Sequence, residues 1–152
     1  MDLELIKHYA HQLHWHLPEE YQQEAIEWLI TNAPHDQLAL LFPPYTKSCW
    51  QNAMKVIEAI GYPNNEPAFP RLVELFQDLN WPGAEEAILY FQTLETTIVV
   101  PYIEAAAEQA RAEHDREWLW FLYAVCGRLS IERKHFKNVA VFDEMKDCYD
   151  ND

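Results

Sequence analysis

The chain has 152 residues, with 25 Asp and Glu against 11 Lys and Arg, and a formal net charge of −14 at pH 7. This length predicts a single domain over residues 1–152 that can bury a core without a disulfide or a metal. The negative charge disfavours nucleic acid and anionic membranes as partners, and the three scattered glycines exclude a phosphate-cradling loop.

The first part of the chain predicts three helices and one short helical turn. Over residues 3–16, apolar side chains at helical spacing form one face. Residues 18–33 begin with acids in the first turn, where the helix dipole favours them. The prolines around 34–44 leave room for only a short helical piece. A third helix is expected after Ser48 as its N-cap, with Gly61 ending it.

The sequence Asp-Leu-Asn-Trp-Pro separates two further helical patterns, over residues 67–79 and 82–95. Asn80 is expected to take the left-handed conformation that closes a helix. Pro82 suits the first position of the next helix, where its missing N–H is not needed. Trp81 then lies at the corner and covers both helices. We therefore predict a tight helix-turn-helix hinge with two antiparallel helices.

The remaining sequence predicts another helical pair over residues 101–115 and 117–129, joined near 113–115, and a final helix over 131–147. Residues 96–102, Thr-Thr-Ile-Val-Val-Pro-Tyr, are the best candidate for a strand, but they are too few to build a sheet. The chain is therefore predicted to be all-α.

Tryptophans mark a repeat, because Trp50, Trp81 and Trp118 follow one another at intervals of 31 and 37 residues. Two helices in each such period are typical of an α-solenoid, in which neighbouring pairs bury each other's apolar faces. We predict a right-handed α-α superhelix of about three HEAT-like helical hairpins, with one extra helix at each end.

The stretch from residue 69 to residue 91 resembles a HEAT repeat, with a leucine-rich first helix, an Asp before the turn and an alanine in the second helix. Those residues are Leu72, Leu75, Asp78 and Ala87. In that family the Asp helps to order the turn and the stack. The Asp-Leu-Asn-Trp-Pro element also resembles a small bacterial family of uncharacterised, HEAT-like helical proteins. This resemblance implies a fold and supplies no catalytic residues. By analogy with immunity proteins that accompany secreted toxins, it implies a protein partner.

Cellular location is predicted from the cysteines and from the start of the chain. Cys49, Cys126 and Cys148 form no closely spaced pair, as is typical of a reducing compartment. The first residues lack the basic head and apolar run of a signal peptide. No apolar stretch approaches the roughly 20 residues that span a bilayer. We therefore predict a cytoplasmic protein.

Four histidines near the start, His8, His11, His14 and His16, include pairs at the i, i+3 spacing that can bring two imidazoles together. No carboxylate or cysteine completes a tetrahedral set by spacing, and a solvated helix face explains the pattern. We predict no metal and no cofactor.

Polar and aromatic residues of the second helices supply the candidate binding surface, because these helices line the concave side of solenoids. The candidates are Gln51, Asn52, Lys55, Glu58, Asp78, Trp81, Glu85, Glu86, Tyr90, Arg116 and Glu117. This surface is acidic with aromatic residues between the acids. It predicts a non-enzymatic module that binds a protein or peptide, with a basic partner and salt-sensitive association.

Two alternatives come from other classes of protein. An enzyme could use Asp78, Glu85 and Glu86 as a carboxylate site, although acids after a helix start also stabilise the helix end. A structural subunit of a larger assembly is suggested by the apolar run 118–121. The chain is accordingly expected to be a monomer or a homodimer.

Overall fold

The computed structural model describes residues 2–151, and all regular structure in that range is helical, which confirms the predicted all-α class. The α-helices are α1 (Leu3–His11), α2 (Glu19–Asn32), α3 (Trp50–Ile60), α4 (Phe69–Glu74), α5 (Ala84–Phe91), α6 (Thr96–Ala112), α7 (Arg116–Arg128) and α8 (Val139–Asp150). Shorter 3-10 helices cover His35–Leu41, Lys47–Cys49, Glu66–Ala68, Leu75–Gln77 and Arg133–His135. Across residues 2–151, none of the helices has the length and apolarity needed to cross a membrane.

The apolar faces of the helices meet in one core. Its bulkiest fully buried members are aromatic, and each such ring removes on the order of 150–250 Å² from water. These rings are Phe42, Trp50, Phe69, Phe76, Phe91 and Trp118. In α1, Ile6 and Ala10 point inward as the spacing predicted, whereas Leu3 is 45% exposed.

Most neighbouring helices in the chain also pack against each other. The ring of Tyr9 in α1 stacks on Trp28 in α2 at 4.1 Å, and the Gln12 side chain donates to the Tyr21 carbonyl at 2.8 Å. These contacts place the end of α1 beside the start of α2, so the two helices are antiparallel. Further along, α2 packs on α3, α6 on α7, and α7 on α8.

Helices α3 and α5 lie side by side and run in the same direction. At their starts, the backbone of Gly83 approaches Trp50 so closely that a Cβ there would lie 3.1 Å from the Trp50 carbonyl oxygen. Toward their ends, the Asn65 amide bridges them, donating to the Ile57 carbonyl at 2.8 Å and to the Tyr90 hydroxyl at 2.6 Å. Trp50 and Gly83 are separated by the same number of residues as Ile57 and Tyr90, so the two helices keep one register from start to end.

Helix α4 has different main neighbours from those predicted. It lies nearest to α6, and its 3-10 continuation at Leu75–Gln77 lies nearest to α7. Aromatic rings connect both segments to α5. The ring centroids of Phe69 in α4 and Phe76 in the 3-10 continuation lie 5.2 and 6.1 Å from that of Phe91. A simple stack of two-helix hairpins requires that the two helices of each hairpin pack mainly against each other. Helices α4 and α5 do not meet this requirement.

The hinge between α4 and α5 differs from the prediction at two positions. Gly83, with φ of 88°, is the left-handed residue and the N-cap of α5, while Asn80 has an ordinary negative φ. Pro82 therefore precedes the helix and does not occupy its first position. Asp78 accepts the Asn80 N–H at 2.9 Å, which orders the turn. Position 83 favours glycine, because the left-handed φ strains an L-residue and a Cβ would crowd the Trp50 carbonyl.

Other helix ends were predicted with mixed success. The Ser48 cap is wrong, because a 3-10 turn precedes α3 and the N-cap position falls on Cys49, without a side-chain bond. Gly61, at φ of 78°, ends α3 as predicted. The strand candidate at 96–102 begins α6, with Val99 and Val100 buried in the core.

Candidate functional site

Three side chains of the predicted surface meet between α3 and α5: Gln51, Glu58 and Glu86. We call them, together with the exposed Lys55, the α3–α5 face. The Gln51 amide donates to Glu86 Oε1 at 3.0 Å. Burial raises the pKa of Glu58, and the charge of Glu86 raises it further. Within residues 2–151, neither carboxylate has a Lys, Arg or His at ion-pair distance.

Glu85, in contrast, is neutralised by a residue of α7. Both Arg128 Nη atoms donate to its carboxylate, at 2.9 and 2.7 Å, and this bidentate bond lowers the pKa of Glu85. The Gln92 side chain adds a bond to the Arg128 carbonyl at 3.1 Å. Glu85 therefore ties α5 to the end of α7 and adds little negative charge to the α3–α5 face.

Two predicted surface residues, Asn52 and Tyr90, are interior, and this corrects their assignment to an accessible face. Asn52 donates to the Leu13 carbonyl and to the Gln22 side chain, both at 2.8 Å, and so joins α3 to the loop after α1 and to α2. Tyr90 is 9% exposed, and its hydroxyl accepts from Asn65. Buried polar groups need such internal partners, which explains both positions.

Trp81 is half-buried and belongs to a row in which two tryptophan rings lie between two cations. Its ring meets that of Trp50 edge to face at 5.7 Å, and the Lys47 ammonium lies 4.5 Å above it. On the other side, the Arg71 guanidinium lies 4.9 Å from the Trp50 ring. Cation–π contacts of this kind contribute roughly 0.5–1 kcal/mol each at exposed sites. Trp81 thus packs against the start of α3, whereas it was predicted to cover the two helices on either side of its turn, and part of its ring stays accessible.

Two adjoining grooves of about 610 Å³ each flank the loop before α3, and we call them the Tyr45 grooves. They share Pro44, Tyr45 and Arg71. One is otherwise lined by Lys7, His11, Ala39, Leu40, Phe42, Pro43, Thr46 and Glu74, and the other by Lys47, Trp50, Gln77 and Trp81.

Arg71 is a half-buried cation that lines both Tyr45 grooves. Its Nε and Nη2 donate to the Phe42 carbonyl at 3.3 and 3.1 Å, and its Nη1 lies 4.0 Å from the Glu74 carboxylate. Burial lowers the pKa of Arg71, while the Glu74 charge acts in the opposite direction. This guanidinium therefore fixes the loop and brings positive charge to the groove floor.

Arg116 and Glu117 lie elsewhere, at the start of α7. They line a groove of about 410 Å³ with Trp120, Phe121 and Cys148. Trp118, the third repeat tryptophan, is 1% exposed, and its backbone N–H donates to the Asp115 side chain, the N-cap of α7, at 3.0 Å. The structure therefore separates these two candidates from the α3–α5 face.

The buried carboxylate of Glu104 was not identified from the sequence. It accepts the backbone N–H groups of Lys137 and Asn138 at 3.1 and 2.7 Å, and so holds the segment before α8 against α6. A single Glu on a long helix carries no sequence signal for such a bond.

The N-terminal histidines do not converge. Within the part of the chain that the structure describes, no group of three or more His, Cys, Asp or Glu side chains is arranged to hold a metal ion. His14 and His16 have ring centroids 5.0 Å apart, while His11 Nδ1 donates to the Lys7 carbonyl at 2.8 Å and the His11 side chain lines a Tyr45 groove.

Comparisons with protein-family models, with curated proteins and with solved structures found no match to this chain.

Proposed function

We propose that the protein is a non-enzymatic binding module, built on a HEAT-like helical scaffold, whose α3–α5 face binds a basic protein or peptide. One observation carries this proposal: the Glu86 carboxylate, held by Gln51 of α3, lies close enough for its charge to raise the pKa of Glu58, and neither acid has a basic partner within residues 2–151. A Lys or Arg of a partner would relieve this repulsion.

The scaffold part of the proposal is supported by the arrangement of α3 and α5. Equivalent helices of successive repeats in a solenoid run parallel and side by side. The Trp50–Gly83 approach and the Asn65 bridge give this relation to α3 and α5, at a chain spacing close to the tryptophan interval.

The free energy that ion pairs can contribute indicates which other contacts the partner must make. A solvent-exposed ion pair contributes roughly 0–1 kcal/mol, so two carboxylates alone give weak binding. Complementary charge chiefly accelerates encounter and selects the partner, while apolar contacts supply most of the affinity. We therefore expect a basic partner that also covers the apolar stems of Gln51 and Lys55.

The test is affinity capture from a lysate of the source organism with three baits. These are wild type, the double variant Glu58→Gln/Glu86→Gln, and the matched control Glu95→Gln/Glu113→Gln, which removes the same charge from the two ends of α6. We expect basic proteins that wild type and control retain and the double variant loses. Equal capture by all three baits, or loss of acidic proteins only, contradicts the proposal.

A captured protein is then purified and titrated against wild type by calorimetry. Between about 0.1 and about 1 M salt the Debye length falls from ~10 to ~3 Å, so affinity is expected to fall steeply. Salt-independent affinity is the contrary result.

A second candidate function, a self-associating structural subunit, is favoured by the aromatic surface at α7 and α8. The rings of Trp120 and Tyr149 lie 4.9 Å apart, and Tyr149 is 42% exposed. Light scattering of wild type and Trp120→Ala tests it. A wild-type dimer that the substitution dissociates supports it, and a wild-type monomer at all concentrations excludes it.

A further inference from the structure

Tyr45 is 99% exposed, although it stands between core residues of the same loop. Phe42, three positions earlier, is 1% exposed, and Cys49, four positions later, is fully buried. A bulky side chain held in water between two buried anchors gains nothing for the fold. Tyrosine is also among the residues most enriched at the centre of protein interfaces.

The loop that carries Tyr45 is fixed in place by buried side chains. The Trp50 indole N–H donates to the Pro43 carbonyl at 2.9 Å, and Arg71 donates twice to the preceding Phe42 carbonyl. Two prolines, at 43 and 44, restrict the backbone further. Tyr45 is thus presented on a rigid support, and a rigid anchor loses little entropy when it binds.

Charge around the Tyr45 grooves is opposite in sign to that of the whole protein. Among residues 2–151, three cations line them, Lys7, Lys47 and Arg71, against one acid, Glu74, although Lys7 also lies 3.6 Å from the Glu4 carboxylate. Lys47 makes no ion pair within residues 2–151. Its ammonium group lies over the Trp81 ring, and because Lys47 is exposed, a carboxylate of a ligand can reach it.

The apolar part of the lining selects the kind of anion. The grooves are also lined by Leu40, Pro43, Pro44 and the exposed Tyr45. A small inorganic anion would leave this surface uncovered. A nucleic acid would bring a long run of phosphates to a chain of net charge −14, which repels it. A short acidic segment with apolar or aromatic side chains matches both features.

We propose that the Tyr45 grooves bind an acidic peptide segment of a partner protein. Its carboxylates pair with Lys7 and Lys47, and an apolar side chain packs against Tyr45 and the open face of Trp81. This site goes beyond the proposed function, because it uses other residues and the opposite charge. An experiment can therefore reject one of the two binding sites and leave the other standing.

The test is selection of short random peptides displayed on phage against the intact protein, followed by fluorescence anisotropy with the selected peptides. Lys47→Glu and Tyr45→Ala are the test variants. Lys137→Glu before α8 and Tyr21→Ala on α2 are the matched controls, since both residues are exposed and lie outside the grooves and the α3–α5 face. All four side chains are exposed, and circular dichroism verifies that each variant folds.

The expected result is a set of selected peptides with net negative charge. Their Kd rises by about tenfold or more in each test variant, as expected for a central anchor, and by less than about twofold in each control. Selection of neutral or basic peptides, equal loss in test and control variants, or failure to enrich any peptide overturns the proposal. Tighter binding of a single-stranded oligonucleotide than of the selected peptides also overturns it.

Discussion

The glycines offer a direct test of the close approach between α3 and α5. We expect Gly83→Ala to destabilise the protein more than an alanine at either other glycine. The left-handed φ of 88° costs an L-residue about 1–2 kcal/mol. A Cβ 3.1 Å from the Trp50 carbonyl oxygen adds an overpacking cost of about 1–3 kcal/mol. The free energy of unfolding is therefore expected to fall by roughly 2–5 kcal/mol.

Gly61 and Gly127 are matched controls. An alanine Cβ at Gly61 would meet nothing within 4 Å, so Gly61→Ala carries only the backbone cost of φ 78° and ψ 159°, about 1–3 kcal/mol. At Gly127, in the last turn of α7, the space is also open and φ is ordinary, so Gly127→Ala is expected to stabilise by up to ~1 kcal/mol.

Urea denaturation, followed by circular dichroism, measures the free energies of all three variants. For a chain of this size, each kcal/mol shifts Tm by about 2–4 °C. Gly83→Asn separates the two costs, because Asn adopts the left-handed conformation more readily, and the remaining loss then reports the Trp50 contact. If Gly83→Ala and Gly83→Asn both unfold like wild type, α3 and α5 do not approach as described.

Three further predictions concern stability and its dependence on pH. Trp50→Ala is expected to cost about 3–5 kcal/mol, and the half-exposed Trp81→Ala clearly less, in urea titrations; equal losses would contradict the difference in burial. Folded Glu58 holds its proton more readily than the unfolded chain does, so its ionised form destabilises the fold. Glu58→Gln should therefore raise Tm at pH 7, and the gain should vanish as the pH falls through the ordinary value of 4.5; a gain that persists in acid refutes this. Burial raises the pKa of Cys49 to about 11 and that of Cys126 to about 12, so the folded state keeps protons that the unfolded chain loses above 9.0. The free energy of unfolding should fall as the pH rises from 9.0 toward 11, and less so in Cys126→Ala than in wild type.

Much of the fold could be predicted from the sequence because helical periodicity and helix breakers act locally. Gly61 and the turn near residues 113–115 end helices where the pattern predicted. The errors at Asn80 and Pro82 arise from a long-range cause. The left-handed residue is Gly83 because a carbonyl of Trp50 lies against it, and no local pattern contains that contact.

The candidate site was predicted less well, because it too depends on contacts between residues that are distant in sequence. Gln51, Glu58 and Glu86 were assigned to one surface from helix periodicity, and Gln51 does bond to Glu86, but the burial of Asn52 depends on a bond to Gln22 from another helix. The Tyr45 grooves join segments that are distant in sequence. The tyrosine after two prolines was their one local signal.

Zero-length carbodiimide cross-linking of the captured complex tests the central claim most directly, because it joins only carboxylates and amines that are in contact. Peptide mass spectrometry then locates each bond. The account predicts links from Glu58 or Glu86 to lysines of the basic partner. Links confined to acids of α2, α6 or α8, with none at Glu58 or Glu86, would contradict it.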